Sequence, residues 1–377
     1  MRRARKVTIQ LLSGKEMDVT NCESIIEIIK SETNYATQIY FTIRLPEKTL
    51  TDMFDNMPSH IKLEIEKDDH FFQLVENNNI LLRIISIKPQ YTNMLSFDEA
   101  TTKDAPIIDV MFHTIPDKAI YDKAQVCISK ENINSEGIIN AVCESVPLKY
   151  LSPPEKKTFR QIFIPSMTRL QALSYVINVC GVYNTPVFYT HDIDGPYLYC
   201  LKDTNSKIEN TLHYIDHAKF TPTHKDHLVH PVFPTSAYQS TYYELPKQWT
   251  SFLYTDTKLY EKKKTKLTEI NVPSLGKVNE KMQQEIKNYC YIETNNNDSR
   301  KSEISTVLTN AYTLTAYLIR VGGLKNFRPG VCLKFKTDDS RYIKFNNNYV
   351  ISYVNIVFAT VKDAKVKIIL HIKRYSI

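Results

Sequence analysis

The stretch Gln38–Pro46 reads QIYFTIRLP, and its reading decides the fold. Ile39, Phe41, Ile43 and Leu45 alternate with Gln38, Tyr40, Thr42 and Arg44 until Pro46 stops the run. A period of two with one polar face predicts an antiparallel strand half open to solvent. The same texture surrounds it: Val7, Ile9 and Leu11 alternate with polar neighbours, and Ile61, Leu63 and Ile65 alternate with Lys62, Glu64 and Glu66. A near-continuous apolar run follows from Ile80 to Ile87, with weaker strands at Ile107–His113 and Gln125–Ser129. Five or more short strands within about 130 residues predict a small barrel or sandwich.

After Pro153-Pro154 the pattern changes. Leu170, Leu173, Val176, Ile177 and Cys180 recur at helical spacing, with Ser166 available as a cap and Gly181 placed to end the helix in the left-handed conformation. Val187–Tyr189 and Tyr197–Leu201 then flank Asp194-Gly195, a pair suited to the tight turn of a hairpin. The middle of the chain therefore reads as α+β. Residues 205–300 are irregular, with His213, His217, His224, His227 and His230, prolines at 222, 231, 234 and 246 among others, the single Trp249 and a lysine-rich stretch at 262–266.

A second helix is expected over Ser302–Arg320, with Ile304, Val307, Leu308, Ala311, Leu314 and Leu318 on one face and Gly322-Gly323 as terminator. The last fifty or so residues return to strands. Val331, Leu333 and Phe335 alternate after the turn-forming Pro329-Gly330, and Tyr342–Phe345, Tyr349–Thr360 and Lys365–Lys373 complete an expected four-strand meander. In the terminal strand Val366, Ile368, Leu370 and Ile372 should point inward, leaving Lys365, Lys367, His371 and Lys373 outside.

Composition narrows the function. The 377 residues are 42% hydrophobic and 24% charged, which suits a folded chain of two or three units. Only eight glycines are present, and they allow no dinucleotide-binding, P-loop or nucleophile-elbow motif. The seven cysteines are scattered and odd in number, arguing for a reducing compartment and against a disulfide framework or zinc ribbon. No apolar run is long enough to span a bilayer, so no membrane partner is expected. The net charge of +7 is spread along the chain, as on a solvated surface.

Candidate chemistry is sparse. The histidines at 213, 217, 224, 227 and 230 form the one possible metal constellation, but Pro222 interrupts them and no paired cysteine or HExxH accompanies them. Asp68-Asp69, Asp192 with Asp194, and Asp338-Asp339 all fall at turns, where Asp side chains bond nearby amides. Cys180 falls on the apolar face of its helix. No catalytic, cofactor-binding or metal site is assigned, and no cofactor is expected. The 24 Tyr and 16 Phe suit broad protein contacts. A nucleic-acid-binding module, through interleaved Tyr and Lys, or an enzyme with an unrecognised site are the alternative readings.

The order of these elements resembles the central baseplate hub protein of contractile-tailed phages and the hub half of type VI secretion spikes. The resemblance rests on the strand-rich start, the helix at Thr168–Cys180, the hairpin ending Tyr197-Leu198-Tyr199-Cys200-Leu201, the turn Arg328-Pro329-Gly330-Val331 and the closing pair Tyr349–Thr360 and Lys365–Lys373. It implies a mainly β protein with α+β parts: two small Tudor-like barrels per chain, the second discontinuous, with helix-containing segments inserted. The expected layout is a first barrel at 1–130, an α+β segment at 131–202, strands for the second barrel at 203–245, an irregular excursion and helix at 246–321, and the remainder of that barrel at 322–377. The family implies a non-enzymatic homotrimer that adapts the sixfold tail tube to a threefold central spike. Its partners would be tube, spike and baseplate wedge proteins, and its place the virion tail baseplate, assembled in the host cytoplasm.

Overall fold

A computed structural model describes residues 4–22, 24–65, 79–90, 107–183, 185–208, 210–214, 227–234, 251–256, 263–264, 268–269, 291–294, 313–320, 327–359 and 366–374. The first third is strands, as its alternation predicts: β1 (Ala4–Leu11), β2 (Glu16–Asp18), β3 (Ser24–Ser31), β4 (Gln38–Pro46), β5 (Pro58–Ile65), β6 (Asn79–Gln90) and β7 (Ile107–Pro116). They pair antiparallel in the order β2-β1-β5-β6-β7-β4-β3. Ile39, Phe41, Ile43 and Leu45 of the deciding stretch are all buried, and Pro46 ends the strand by standing before helix α1 (Glu47–Asp55), which buries Leu50 and Met53. β3 has no counterpart among the expected strands, yet Ile26 and Ile28 bury one of its faces.

The middle segment folds as α+β. Strand β8 (Gln125–Asn134) pairs β10 (Thr158–Thr168), and β9 (Tyr150–Leu151), β11 (Val187–Asp192) and β12 (Gly195–Cys200) make a second small sheet. Gln125–Ser129, expected in the first barrel, therefore belongs to the β8–β10 ribbon instead. Helices α2 (Ser135–Val142), α3 (Arg169–Ser174) and α4 (Leu201–Ser206) complete the segment. The helix expected at 168–180 begins as α3 and continues as a π-turn over Tyr175–Val179, with Gly181 in the left-handed region at φ +61°. Its cap is Thr168 and not Ser166, because Gln171 lies three residues on and its side chain returns to the Thr168 amide in a capping box. The β11–β12 turn consists of Ile193-Asp194, since Asp192 pairs Gly195, and only Gly195 takes positive φ.

The C-terminal strands come from distant parts of the chain. They are β13 (Asn210–Tyr214), β14 (His227–Pro234), β19 (Thr313–Arg320), β20 (Cys332–Lys336), β21 (Asn347–Ala359) and β22 (Lys367–Arg374). Their pairings run β21-β20-β13-β14-β19-β22 and back to β21, so the six pair in a cycle. β21 is long enough to pair β20 through Asn347–Val350 and then β3 through Tyr353–Ala359, which joins both ends of the chain in one sheet. Between β14 and β19 the backbone forms a small separate sheet of β15 (Ser251–Asp256), β16 (Lys263–Lys264), β17 (Thr268–Glu269) and β18 (Tyr291–Thr294).

Two expectations here are overturned. Thr313–Arg320, assigned to a helix over Ser302–Arg320, is strand β19, hydrogen-bonded between β14 and β22. Leu314 and Leu318 are four apart, a spacing that fits a helix turn and a strand face equally, and the β-branched and aromatic Thr313, Thr315, Tyr317 and Ile319 around them favour the strand. The remainder of that expected helix, 302–312, lies outside the described residues. Tyr342–Phe345, expected as a strand, is a turn ending in the 3-10 helix Ile343–Phe345, because the amides of Tyr342 and Ile343 both bond the Asp339 carbonyl. In the terminal strand Ile368, Leu370 and Ile372 are buried as expected.

Candidate functional site

The tip of the β11–β12 hairpin carries the densest polar chemistry among the described residues. Tyr35 and Thr37 hold it by backbone bonds on either side of His191, the His191 amide to the Tyr35 carbonyl at 2.8 Å and the Thr37 amide to the His191 carbonyl at 3.0 Å. That docking places Asp192, only 1% exposed, between two cations that are themselves buried: Lys30 of β3 at 2.7 Å and Arg328 of the turn before β20 at 2.5 Å. Thr37 Oγ1 donates to the same carboxylate at 3.0 Å, and the Ile193 amide donates at 2.9 Å. Arg328 also reaches Asp194 at 3.2 Å and stacks over Tyr197 at 4.1 Å, while Lys149 bonds Asp194 from the rim at 2.8 Å. Tyr197 donates its hydroxyl to Asp194 as well.

The electrostatics follow from this geometry. Burial alone would raise the Asp192 carboxyl, but Lys30 and Arg328 outweigh it and hold the group well below the ordinary carboxylate range. Burial lowers Lys30 in spite of Asp192, and Arg328 is raised because Asp192 and Asp194 more than offset its desolvation. The cluster ties three separate parts of the chain together: the N-terminal sheet through Lys30, the α+β segment through Asp192, and the C-terminal strands through Arg328.

A second buried cluster backs the hairpin. Asp122 accepts from Tyr189 Oη at 2.9 Å, pairs His191 Nδ1 at 3.1 Å, and lies 3.1 Å from Arg169 Nη1. Arg169 and Asp122 are wholly buried, and none of the three guanidinium nitrogens makes a well-directed hydrogen bond. His191 borders a cavity of about 280 Å3 lined also by Leu81, Asp117, Lys118, Lys149 and Asp194. An oriented histidine beside a cavity suits proton transfer, but the lining includes no Ser, Thr or Cys to act as nucleophile, and its lysines and aspartates balance. The arrangement is suited to holding the hairpin in place.

Asp192 and Asp194, read from sequence as turn carboxylates, are brought together here. The turn bond to Ile193 exists, yet the larger role of Asp192 is to neutralise Lys30 and Arg328. Lys30, Asp122, Arg169, His191 and Arg328 went unanticipated as a group, and the sequence carries no signal for them beyond charged residues inside strand or helix patterns. Asp339 keeps its turn role, accepting from the Arg341 amide at 2.9 Å. Asp68-Asp69 lie outside the described residues. Of the histidines, His213 is half-buried on β13, and His227 and His230 lie on the backbone of β14, where His227 pairs Leu212. His217 and His224 lie outside the described residues. Among the described residues no three His, Cys, Asp or Glu side chains are grouped to hold a metal, and no helix is long and apolar enough to cross a membrane. Cys180 is half-buried, and burial raises its thiol.

No protein-family model matches the chain, and no curated protein matches it in sequence. Solved structures do. The 43 kDa tail protein of prophage MuSo2 from Shewanella oneidensis aligns over 98% of this chain and 96% of its own, with 10% identity and a TM-score of 0.59. The tail protein from Neisseria meningitidis MC58 aligns over 98% and 96%, with 12% identity and a TM-score of 0.56. Both likenesses run nearly end to end. The resemblance drawn from the order of elements is thereby shown at the level of fold: this chain has the fold of phage tail proteins.

Proposed function

We propose that this chain is a structural hub of a contractile phage tail, a homotrimer that adapts the sixfold tail tube to a threefold central spike. The carrying observation is the end-to-end likeness to two tail proteins at 10% and 12% identity. The strand arrangement supports two barrel-like units per chain. The six strands that pair in a cycle would form the second, discontinuous Tudor-like barrel, and the seven strands from β2 to β3 would curl into the first. Three copies would then place six such units in a ring facing the tube. The buried Lys30–Asp192–Arg328 cluster supports the same reading, because a ring that transmits load needs its units locked together.

On this reading the chain is not an enzyme, binds no cofactor, contacts tube, spike and baseplate wedge proteins, and sits in the virion tail after assembly in the host cytoplasm. Electron microscopy of purified tails tests it: this chain is expected at the threefold axis between tube and spike, and a position anywhere else refutes the hub. Metal analysis of the purified chain is expected to find none, whereas an ordered zinc held by three of His213, His217, His224, His227 and His230 would refute the metal-free part.

A further inference from the structure

The β8–β10 ribbon runs from Gln125 opposite Thr168 to Asn134 opposite Thr158 and, among the described residues, no third strand pairs with either outer edge. One face rests on α2 and α3 through Ile128, Ile162 and Ile164. The other face is open: Cys127, Ser129, Glu131 and Gln161 are exposed, and Phe163 is 59% exposed. Toward the far end Lys130, Glu131 and Asn132 of β8 and Thr158, Arg160 and Gln161 of β10 are all exposed, on both faces of the ribbon. An isolated pair of strands is at best marginally stable in water, and a long open edge is a template for another chain.

We propose that these edges are the seam between copies of this chain, with β8 of one copy pairing β10 of the next. The proposal rests on the homotrimer reading above. The two open edges lie on opposite sides of one ribbon, so contacts are head to tail, the kind that closes into a ring under threefold symmetry. Turning the ribbon about an axis along its length keeps every β8 in one direction and every β10 in the other, so the new pairing is antiparallel like the old. Three ribbons supply six strands, the number this same chain already pairs in a cycle through β21 and β22. Pro165 and the irregular register after Ile164 spoil one end of β10, which limits the seam to Thr158–Ile164 against Ile128–Asn134. Phe163 would turn its open side toward the symmetry axis.

Hydrogen exchange on the full chain, as a dilute monomer and in purified tails, tests the seam. In an antiparallel ladder alternate amides point outward. Those outward amides of β8 and β10 are expected to slow at least about tenfold on assembly, and unchanged rates overturn the proposal. Arg160→Pro and Gln161→Pro give a second measurement, because one of two neighbouring residues carries an outward amide and tolerates proline without losing the ribbon. The variant that melts like the parent is expected to self-associate at least about tenfold more weakly, and parental association overturns the seam. If both variants misfold, a benzophenone side chain at position 161 in mixed light and heavy isotope tails decides: cross-links from one copy to residues 125–134 of another support the seam, and their absence refutes it. A threefold ring with fast-exchanging ribbon edges would sink the seam and leave the hub standing, whereas a single copy per tail would sink the hub itself.

Discussion

Asp192→Asn should be among the most damaging polar substitutions in this chain, and the geometry sets the size of the effect. The carboxylate is 1% exposed and faces Lys30, whose side chain is wholly buried, and Arg328, which is 6% exposed. Removing one member of a buried ion pair leaves an uncompensated charge and costs about 3–5 kcal/mol. Arg328 keeps Asp194 as a partner, so the stranded charge is Lys30. Lys30→Met should cost far less, about 1–2 kcal/mol, because the apolar stem is retained and Asp192 still accepts from Arg328, Thr37 and the Ile193 amide. The pH dependence supplies a third check. Burial lowers the Lys30 ammonium below its unfolded value, so in the intermediate range the unfolded chain binds more protons and stability rises with pH. With Asp192 gone that lowering is opposed only weakly, by Asp194, and the deficit of Asp192→Asn should shrink as pH rises toward the unfolded lysine value of about 10.4, because Lys30 deprotonates first in the folded state. Urea titrations followed by far-ultraviolet circular dichroism measure all three. An Asp192→Asn protein within about 1 kcal/mol of the parent, a Lys30→Met protein equally damaged, or a deficit unchanged by pH would refute the reasoning.

Three further outcomes are expected. Leu173→Ala removes a side chain 2% exposed in the core beneath α3 and should lower stability by about 2–5 kcal/mol, so superimposable urea curves would show that this stripe is not core. Gly330→Ala should cost about 2 kcal/mol or more, because Gly330 sits at φ +89° and a Cβ there would lie 2.7 Å from the Cβ of Phe188; a melting temperature equal to the parent's would contradict it. Acid should unfold the parent progressively below about pH 4: the Asp192 carboxyl is depressed in the folded state, so its contribution is complete above the unfolded carboxylate value and fades as pH falls toward the folded one. A protein that keeps its full stability through acid titration, as followed by intrinsic fluorescence, would contradict that sign.

Strands that alternate one apolar and one polar residue were legible without the structure, because a half-buried strand writes its two faces directly into the chain. Ile39 to Leu45, Ile61 to Leu63 and Ile368 to Ile372 are buried as their pattern requires. The helix at 168–180, its glycine stop and the hairpin after it were legible for the same local reason, although the cap is Thr168 where Ser166 was expected and the turn is Ile193-Asp194 where Asp194-Gly195 was expected. Where two periods share a spacing, the spacing cannot decide: Leu314 and Leu318 fit either a helix or a strand, and the β-branched and aromatic neighbours together with pairing to β14 and β22 made that segment a strand.

The union of the two ends of the chain, through β3 and β21, and the meeting of Lys30 with Asp192 and Arg328 were decided by tertiary structure alone. Lys30 sits on β3 beside Ile28, and nothing in its neighbours distinguishes it from a solvated lysine at a strand end. Its burial depends on a carboxylate 162 residues away, brought close by the docking of a hairpin. Periodicity reports which face of an element is apolar, but it carries no record of which distant element will cover that face, and the partner of a buried charge is a property of that packing.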